Sequence, residues 1–84
     1  MDPLEQLAAA LDVEAPTRQE TASVLDLARD VAHGTERKIT PLATLLLGMS
    51  VQRRIDAGAS RSDALDAAIA DVRAVLPAGE PPTA

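Results

Sequence analysis

Helix start and stop signals divide this chain into four segments of helical length. Capping residues stand at four places, and each is followed by a stretch whose apolar residues recur every three or four positions. Gly34 is predicted to close the second stretch, because glycine adopts left-handed backbone angles at low cost, and Gly58 the third; proline closes the other two. The predicted helices span residues 3–12, 18–33, 41–57 and 61–76. Because no stretch alternates apolar and polar residues as a strand does, the predicted fold class is all-α.

The predicted helices are joined by short connections, which favour packing between neighbouring helices. We expect a compact four-helix bundle that forms one domain over residues 1–76. Three helices with a short leading one are the alternative arrangement. Residues 77–84 carry nothing to bury and are expected to form a disordered tail.

The third predicted helix has apolar residues around nearly its whole circumference, namely Leu42, Leu45, Leu46, Leu47, Met49, Val51 and Ile55. A helix of this kind is normally buried by neighbours on all sides, so we expect it to be central, with Met49 as core filler. Gly48 in its middle costs about 1 kcal/mol relative to Ala. Close approach of another helix is the expected compensation.

The core has to be aliphatic and thin. The chain has no Phe, Trp or Tyr, and 11 Leu, 6 Val and 3 Ile supply most of the core among 17 Ala. Burying one Leu or Ile side chain contributes only about 1.5–3 kcal/mol, most of which conformational entropy offsets. We therefore expect modest stability, with extra burial in a dimer or against a partner.

Several classes of protein are excluded by composition. The chain has no Cys, so thiolate catalysis and cysteine metal sites are excluded, and the single His33 leaves no histidine-based zinc site. No metal or cofactor is expected. The apolar run at residues 41–51 is about half a membrane span, and the first residues lack the basic start of a signal peptide. We expect a cytoplasmic protein.

The segment DVAHGTERKITPL, residues 30–42, holds His33, the adjacent cations Arg37 and Lys38, and Thr40. One interpretation is anion recognition, because the first turn of a helix presents unpaired N–H groups that suit a phosphate. The alternative is structural: His33 offsets the helix dipole, Arg37 and Lys38 are solvated, and Thr40 caps the third helix.

A polar ridge is predicted on the second helix, where Asp26, Arg29, Asp30 and His33 recur at spacings of three and four. A carboxylate–histidine pair can act as a general base. No nucleophile, metal set or second base accompanies it, so we predict no catalytic residues and no enzyme. Docking of a partner is the preferred function of this ridge, and a ladder of weak surface ion pairs is the alternative.

The segment VLDLARDVAHGTERKITPLATLLLG, residues 24–48, resembles a small bacterial family catalogued as a domain of unknown function. That family occurs alone or attached to the molybdenum cofactor guanylyltransferase. The resemblance lies in Leu25–His33, in the basic residue Arg37 or Lys38, and in Pro41–Gly48. It implies an association with biosynthesis of the molybdopterin guanine dinucleotide cofactor, without implying an activity.

Together these observations predict a non-catalytic accessory domain that docks on a partner enzyme, by resemblance the guanylyltransferase, or holds a phosphate-bearing ligand. The candidate anion- or partner-binding residues are Arg29, Asp30, His33, Arg37, Lys38 and Thr40. A dimeric scaffold without ligand is one alternative. A DNA-associated regulatory module is another, although a formal net charge of −5 disfavours nucleic-acid binding.

Overall fold

The computed structural model describes residues 2–77, which form four α-helices. These are α1 (Pro3–Ala10), α2 (Arg18–Gly34), α3 (Ile39–Asp56) and α4 (Arg61–Val75). No strand occurs in that part of the chain. The prediction of an all-α chain with four helices is confirmed, and every helix end lies within two residues of the predicted one. Except for Pro77, the predicted tail lies outside the described residues.

Side-chain caps begin α2 and α4 where they were predicted. Thr17 Oγ1 accepts a hydrogen bond from the Glu20 N–H at 3.0 Å, and Glu20 Oε1 accepts one from the Thr17 N–H at 2.9 Å. This reciprocal pair is a capping box. Ser60 Oγ accepts a hydrogen bond from the Asp63 N–H at 3.1 Å and caps α4 through this bond alone. Both starts are therefore set by residues within one turn of each other.

Two helices end in a left-handed residue. Gly58, with φ of +109°, follows α3, and the Ala59 N–H bonds the Arg54 carbonyl at 3.0 Å. The predicted role of Gly58 is confirmed. Asp12, with φ of +58°, ends α1 in the same manner, and the Val13 N–H bonds a carbonyl one turn back at 2.9 Å.

The end of α2 has a different cause from the predicted one. The helix does end at Gly34, but this glycine is not among the residues with positive φ. Instead Thr35 leaves the helix in an extended conformation, and its hydroxyl donates to the Val31 carbonyl at 2.7 Å. The boundary was correct, and the left-handed glycine proposed for it was wrong.

Helix packing involves α2, α3 and α4. Their shared core is formed by the buried side chains of Leu27, Val31, Leu47 and Ala68. No Cα atom of α1 lies within 8 Å of a Cα atom in another helix. Of the two arrangements considered, the chain has three packed helices preceded by a short leading helix.

The expectation that α3 is covered on all sides is wrong. Leu47 is only 4% exposed, whereas the exposed fractions of Leu42, Leu45, Leu46 and Met49 range from 55% to 63%. Since α3 packs on only two helices, α2 and α4, both neighbours lie on one side and its outer face is left in solvent. Met49 is therefore not core filler.

Gly48 is also not explained by a close helix. No atom lies within 4 Å of the position that its Cβ would occupy. Gly48 instead lines a cavity between α2, α3 and α4, together with Val24, Val51 and Leu65. The expected compensation for a glycine in the middle of α3 is absent.

Candidate interaction surface

The polar ridge predicted on α2 is present, and its charges are partly paired within the chain. Arg29 Nη2 lies 2.8 Å from Asp26 Oδ1, and both side chains are about two-thirds exposed. Asp30 pairs with Arg73 of α4, so this carboxylate links two helices. The hydrogen bond from Arg73 lowers the pKa of Asp30 below its ordinary value, against a smaller opposing effect of burial.

The three remaining basic residues of the predicted site lie at the end of α2 and in the α2–α3 connection, and their side chains are exposed. His33 occupies the last turn of α2, where a positive charge favours the helix dipole. Lys38 Nζ is 3.5 Å from Glu36 Oε1, and both side chains are largely in solvent. Arg37 is exposed beside them. An exposed pair at this distance contributes little to stability. Because the side chains of Arg37 and Lys38 lie in solvent, they are accessible to a partner.

Thr40 is placed differently from its predicted role as a cap. Helix α3 begins at Ile39, and no side chain caps it. The Thr40 hydroxyl is buried and has no hydrogen-bond partner among the described residues. Arg37 and Lys38 are exposed, so the buried Thr40 hydroxyl does not share a solvent-facing surface with them.

The first turn of α3 offers few N–H groups to an anion. The Ile39 N–H donates to the Glu36 carbonyl at 2.9 Å, and the Thr40 N–H donates to the Arg37 carbonyl at 3.1 Å. Pro41 has no N–H. These three positions supply most of the donors that an anion would use at a helix start. Their occupation does not favour the predicted phosphate site.

An apolar stripe runs along the exposed face of α3 and consists of Leu42, Leu45, Leu46 and Met49. Their spacing of three and four residues places them on one side of the helix. No charged residue occurs between Ile39 and Gln52. Contiguous apolar side chains in solvent mark interaction sites in folded proteins, so the apolar stripe is a candidate docking surface.

Cations lie at both ends of the apolar stripe. Arg37 and Lys38 precede α3, and Arg53 is exposed in its last turn. Lys38 and Arg53 are fifteen positions apart, which is about 22 Å along a helix. Arg54 is turned inward, where it pairs with Asp71 of α4. The basic residues that the sequence concentrates here therefore form two separated ends and no single patch.

Sequence reasoning missed a cluster around Arg61. Its Nε and Nη2 each lie 2.9 Å from a carboxylate oxygen of Glu20, and its Nη1 lies 3.2 Å from Glu14 Oε1. The cluster joins the α1–α2 connection to the starts of α2 and α4. One signal was available: a cation in the first turn of a helix opposes the helix dipole, so Arg61 needed an acidic partner.

A cavity of about 370 Å³ lies next to the Arg61 cluster. Its apolar wall includes Leu47, Val51 and Ile55, and the polar residues at its mouth, Glu20 and Arg61, bind each other. Over residues 2–77 no group of His, Asp and Glu side chains is arranged to hold a metal ion.

Comparison with protein families identifies the chain. A family model for a domain of unknown function, DUF6457, matches residues 3–84 and so includes all four helices. The chain belongs to the DUF6457 family. The expected membership of a domain family of unknown function is confirmed at that level. Neither curated proteins nor solved structures give a match to this DUF6457 chain. None of its described helices has the length and hydropathy that a membrane crossing requires.

Proposed function

We propose that this DUF6457 chain is a non-catalytic interaction domain that docks on another protein through the apolar stripe of α3. The observation that carries the proposal is the exposure of four large apolar side chains on one helix face. Moving one such side chain from water into an interface contributes about 1.5–3 kcal/mol. Docking therefore buries apolar side chains of α3 that the packing of α2, α3 and α4 leaves in solvent.

The chemistry of the apolar stripe indicates what kind of partner fits. The stripe is uncharged along its length, with Arg37 and Lys38 at one end and Arg53 at the other. An amphipathic helix laid against it matches this pattern if its apolar face is flanked by acidic residues. The exposed Arg29 and His33 on α2 are further candidates for contact at the periphery.

The partner enzyme in this proposal is the cytoplasmic molybdenum cofactor guanylyltransferase. Support comes from the resemblance of Leu25–His33 and Pro41–Gly48 to the family that occurs attached to that enzyme. Docking is favoured over holding a phosphate-bearing ligand, because the N–H groups of Ile39 and Thr40 are already bonded. A DNA-associated function stays a prediction that the net charge of −5 disfavours.

A pull-down with the guanylyltransferase of the same host tests the proposal. Leu46→Glu places a charge on the apolar stripe and is expected to abolish retention of the enzyme. Leu25→Glu is the matched control, because Leu25 on α2 is 62% exposed and Leu46 is 63% exposed. Retention by the control but not by Leu46→Glu supports the proposed docking surface. Equal retention of the enzyme by both variants would overturn it.

A further inference from the structure

We infer that, in the free protein, the apolar stripe of α3 is covered by α1 of a second copy of this chain. The inference rests on the proposed function, in which the stripe is a docking surface. It adds that the chain itself carries a helix with the chemistry that the stripe fits. Dimerisation and binding of a partner enzyme would then compete for one surface.

Helix α1 carries a leucine face that lies largely in solvent. Leu4, Leu7 and Leu11 are 42%, 59% and 70% exposed, Ala8 is the buried residue of α1, and no Cα atom of α1 lies within 8 Å of a Cα atom in another described helix. A helix of eight residues is too short to be stable by itself in water. Its formation therefore calls for a surface on which the leucine face packs.

The leucine face of α1 and the apolar stripe of α3 have matching dimensions. Leu4, Leu7 and Leu11 repeat the spacing of Leu42, Leu45 and Met49, at positions i, i+3 and i+7. Both sets span about 10 Å along a helix. Stripes of equal length let two helices pack side by side along the whole length of both stripes.

The charges around the two surfaces are complementary. Residues 2–17 contain four acidic residues and no Lys or Arg, and the acidic residues lie near both ends of the leucine face: Asp2, Glu5, Asp12 and Glu14. The apolar stripe has cations at both of its ends, Arg37 with Lys38 and Arg53. Opposite charges at the margin of an apolar contact favour its formation and exclude like-charged partners.

The connection after α1 argues for exchange between two copies. Val13 and Pro16 line the cavity, and the Glu14 side chain and carbonyl both accept hydrogen bonds from Arg61. This holds the start of the α1–α2 connection beside α4. The cavity wall of α3, with Gly48 and Ile55, occupies a different face from the stripe. A twofold dimer lets each α1 reach the stripe of its partner, so the contact forms twice.

Sedimentation velocity and light scattering of the full chain test the inference, with refractive-index detection because Trp and Tyr are absent. The wild type is expected to become a dimer of about 17 kDa, twice 8.7 kDa, between micromolar and millimolar concentration. Leu7→Glu and Leu46→Glu are each expected to remain monomeric. Leu25→Glu, the matched exposed leucine outside both surfaces, should dimerise like the wild type.

Mixing the two monomeric variants gives the decisive result. Leu7→Glu keeps an intact stripe, and Leu46→Glu keeps an intact α1, so one productive contact forms between them. The mixture is therefore expected to form a heterodimer that neither variant forms alone. If Leu7→Glu dimerises by itself, the two stripes pack on each other; if Leu46→Glu does, the two α1 helices pair. Either outcome overturns the inference.

A wild type that stays monomeric at millimolar concentration would also overturn the inference, and docking of α1 within its own chain is one way to obtain that result. The proposed function fails separately. It is lost if Leu46→Glu still retains the partner enzyme in the pull-down, whatever the state of the free protein. If both proposals hold, Leu7→Glu retains more enzyme than the wild type, because its stripe is uncovered.

Discussion

Arg61 and Glu20, 41 residues apart in the chain, form a two-pronged ion pair in which two guanidinium nitrogens each lie 2.9 Å from a carboxylate oxygen. Glu20 also receives the Thr17 N–H of its capping box. The Glu20 carboxylate therefore caps the start of α2 and also binds Arg61 in the first turn of α4. The Glu20 side chain is only 15% exposed, so its carboxylate oxygens find their hydrogen bonds in these partners.

Removal of the guanidinium is expected to destabilise the domain. Arg61→Ala leaves the largely buried Glu20 carboxylate without its main partner and should lower the free energy of unfolding by about 1–2 kcal/mol. Arg61→Lys should recover only part of the loss, because an ammonium group cannot make the two-pronged contact. Urea unfolding followed by circular dichroism measures both. Arg53→Ala, at an exposed arginine, is the control, and an equal loss there would contradict a special role for Arg61.

Two adjacent leucines on α3 are expected to differ sharply in their contribution to stability. Leu47→Ala removes a buried side chain and should lower the free energy of unfolding by about 2–5 kcal/mol. Leu46→Ala should change it by less than about 0.5 kcal/mol in dilute solution, where no second copy covers the apolar stripe. Urea unfolding at micromolar concentration makes the comparison. Equal losses would mean that α3 is buried on all sides after all.

Alanine substitutions at Gly48, within α3, and at Gly58, just after α3, are expected to change the free energy of unfolding in opposite directions. Gly48→Ala should raise the free energy of unfolding by about 1 kcal/mol, because alanine favours the helix and its Cβ meets no atom within 4 Å. Gly58→Ala should lower it by about 1 kcal/mol, because φ of +109° is strained for any residue with a Cβ. Thermal unfolding distinguishes them. Destabilisation by Gly48→Ala would indicate that a neighbour approaches this position closely.

The ion pair between Asp30 and Arg73 is expected to make stability depend on acid. The pKa of Asp30 is lowered in the folded chain by the hydrogen bond from Arg73, from an ordinary value of 3.8. A carboxylate with a depressed folded-state pKa stabilises the fold above 3.8 and loses that contribution as the pH falls through its folded-state value. Asp30→Asn should therefore be less stable than the wild type at neutral pH, and the difference should shrink below pH 3.8.

Urea unfolding at a series of pH values measures this difference, with Arg73→Gln as the reciprocal variant. Both variants should lose the same part of the acid dependence, because they break one pair from its two sides. A gap between wild type and Asp30→Asn that keeps its full size in strong acid would show that the pair is not its source.

Most helix boundaries of this domain follow from local chemistry and were predictable. The capping box of Thr17 and Glu20 and the left-handed turn at Gly58 each depend on residues within about one helical turn. The start of α3 was displaced by two residues. The Glu36 and Arg37 carbonyls accept the first N–H groups there, a backbone solution that leaves the Thr40 side chain without a role as cap.

The surroundings of each helix were harder to predict than its ends. A helix that is apolar all round needs cover, but the pattern does not say whether the cover belongs to the same chain. Leu47 finds it in α2 and α4, whereas Leu46, one residue earlier, does not. The contact of Arg61 with Glu20 was equally hidden, because it joins residues that meet only once three helices have packed.

The backbone at Asp12, with φ of +58°, contributes to the direction in which α1 leaves the rest of the molecule. Aspartate adopts the left-handed conformation at a modest cost, whereas β-branched residues resist it strongly. Both α1 and Asp12 lie outside the core that α2, α3 and α4 share, so the backbone at Asp12 affects the orientation of α1 and not the packing of that core. A substitution at Asp12 would therefore change the orientation of α1 and the surfaces that α1 can contact, while α2, α3 and α4 kept their packing.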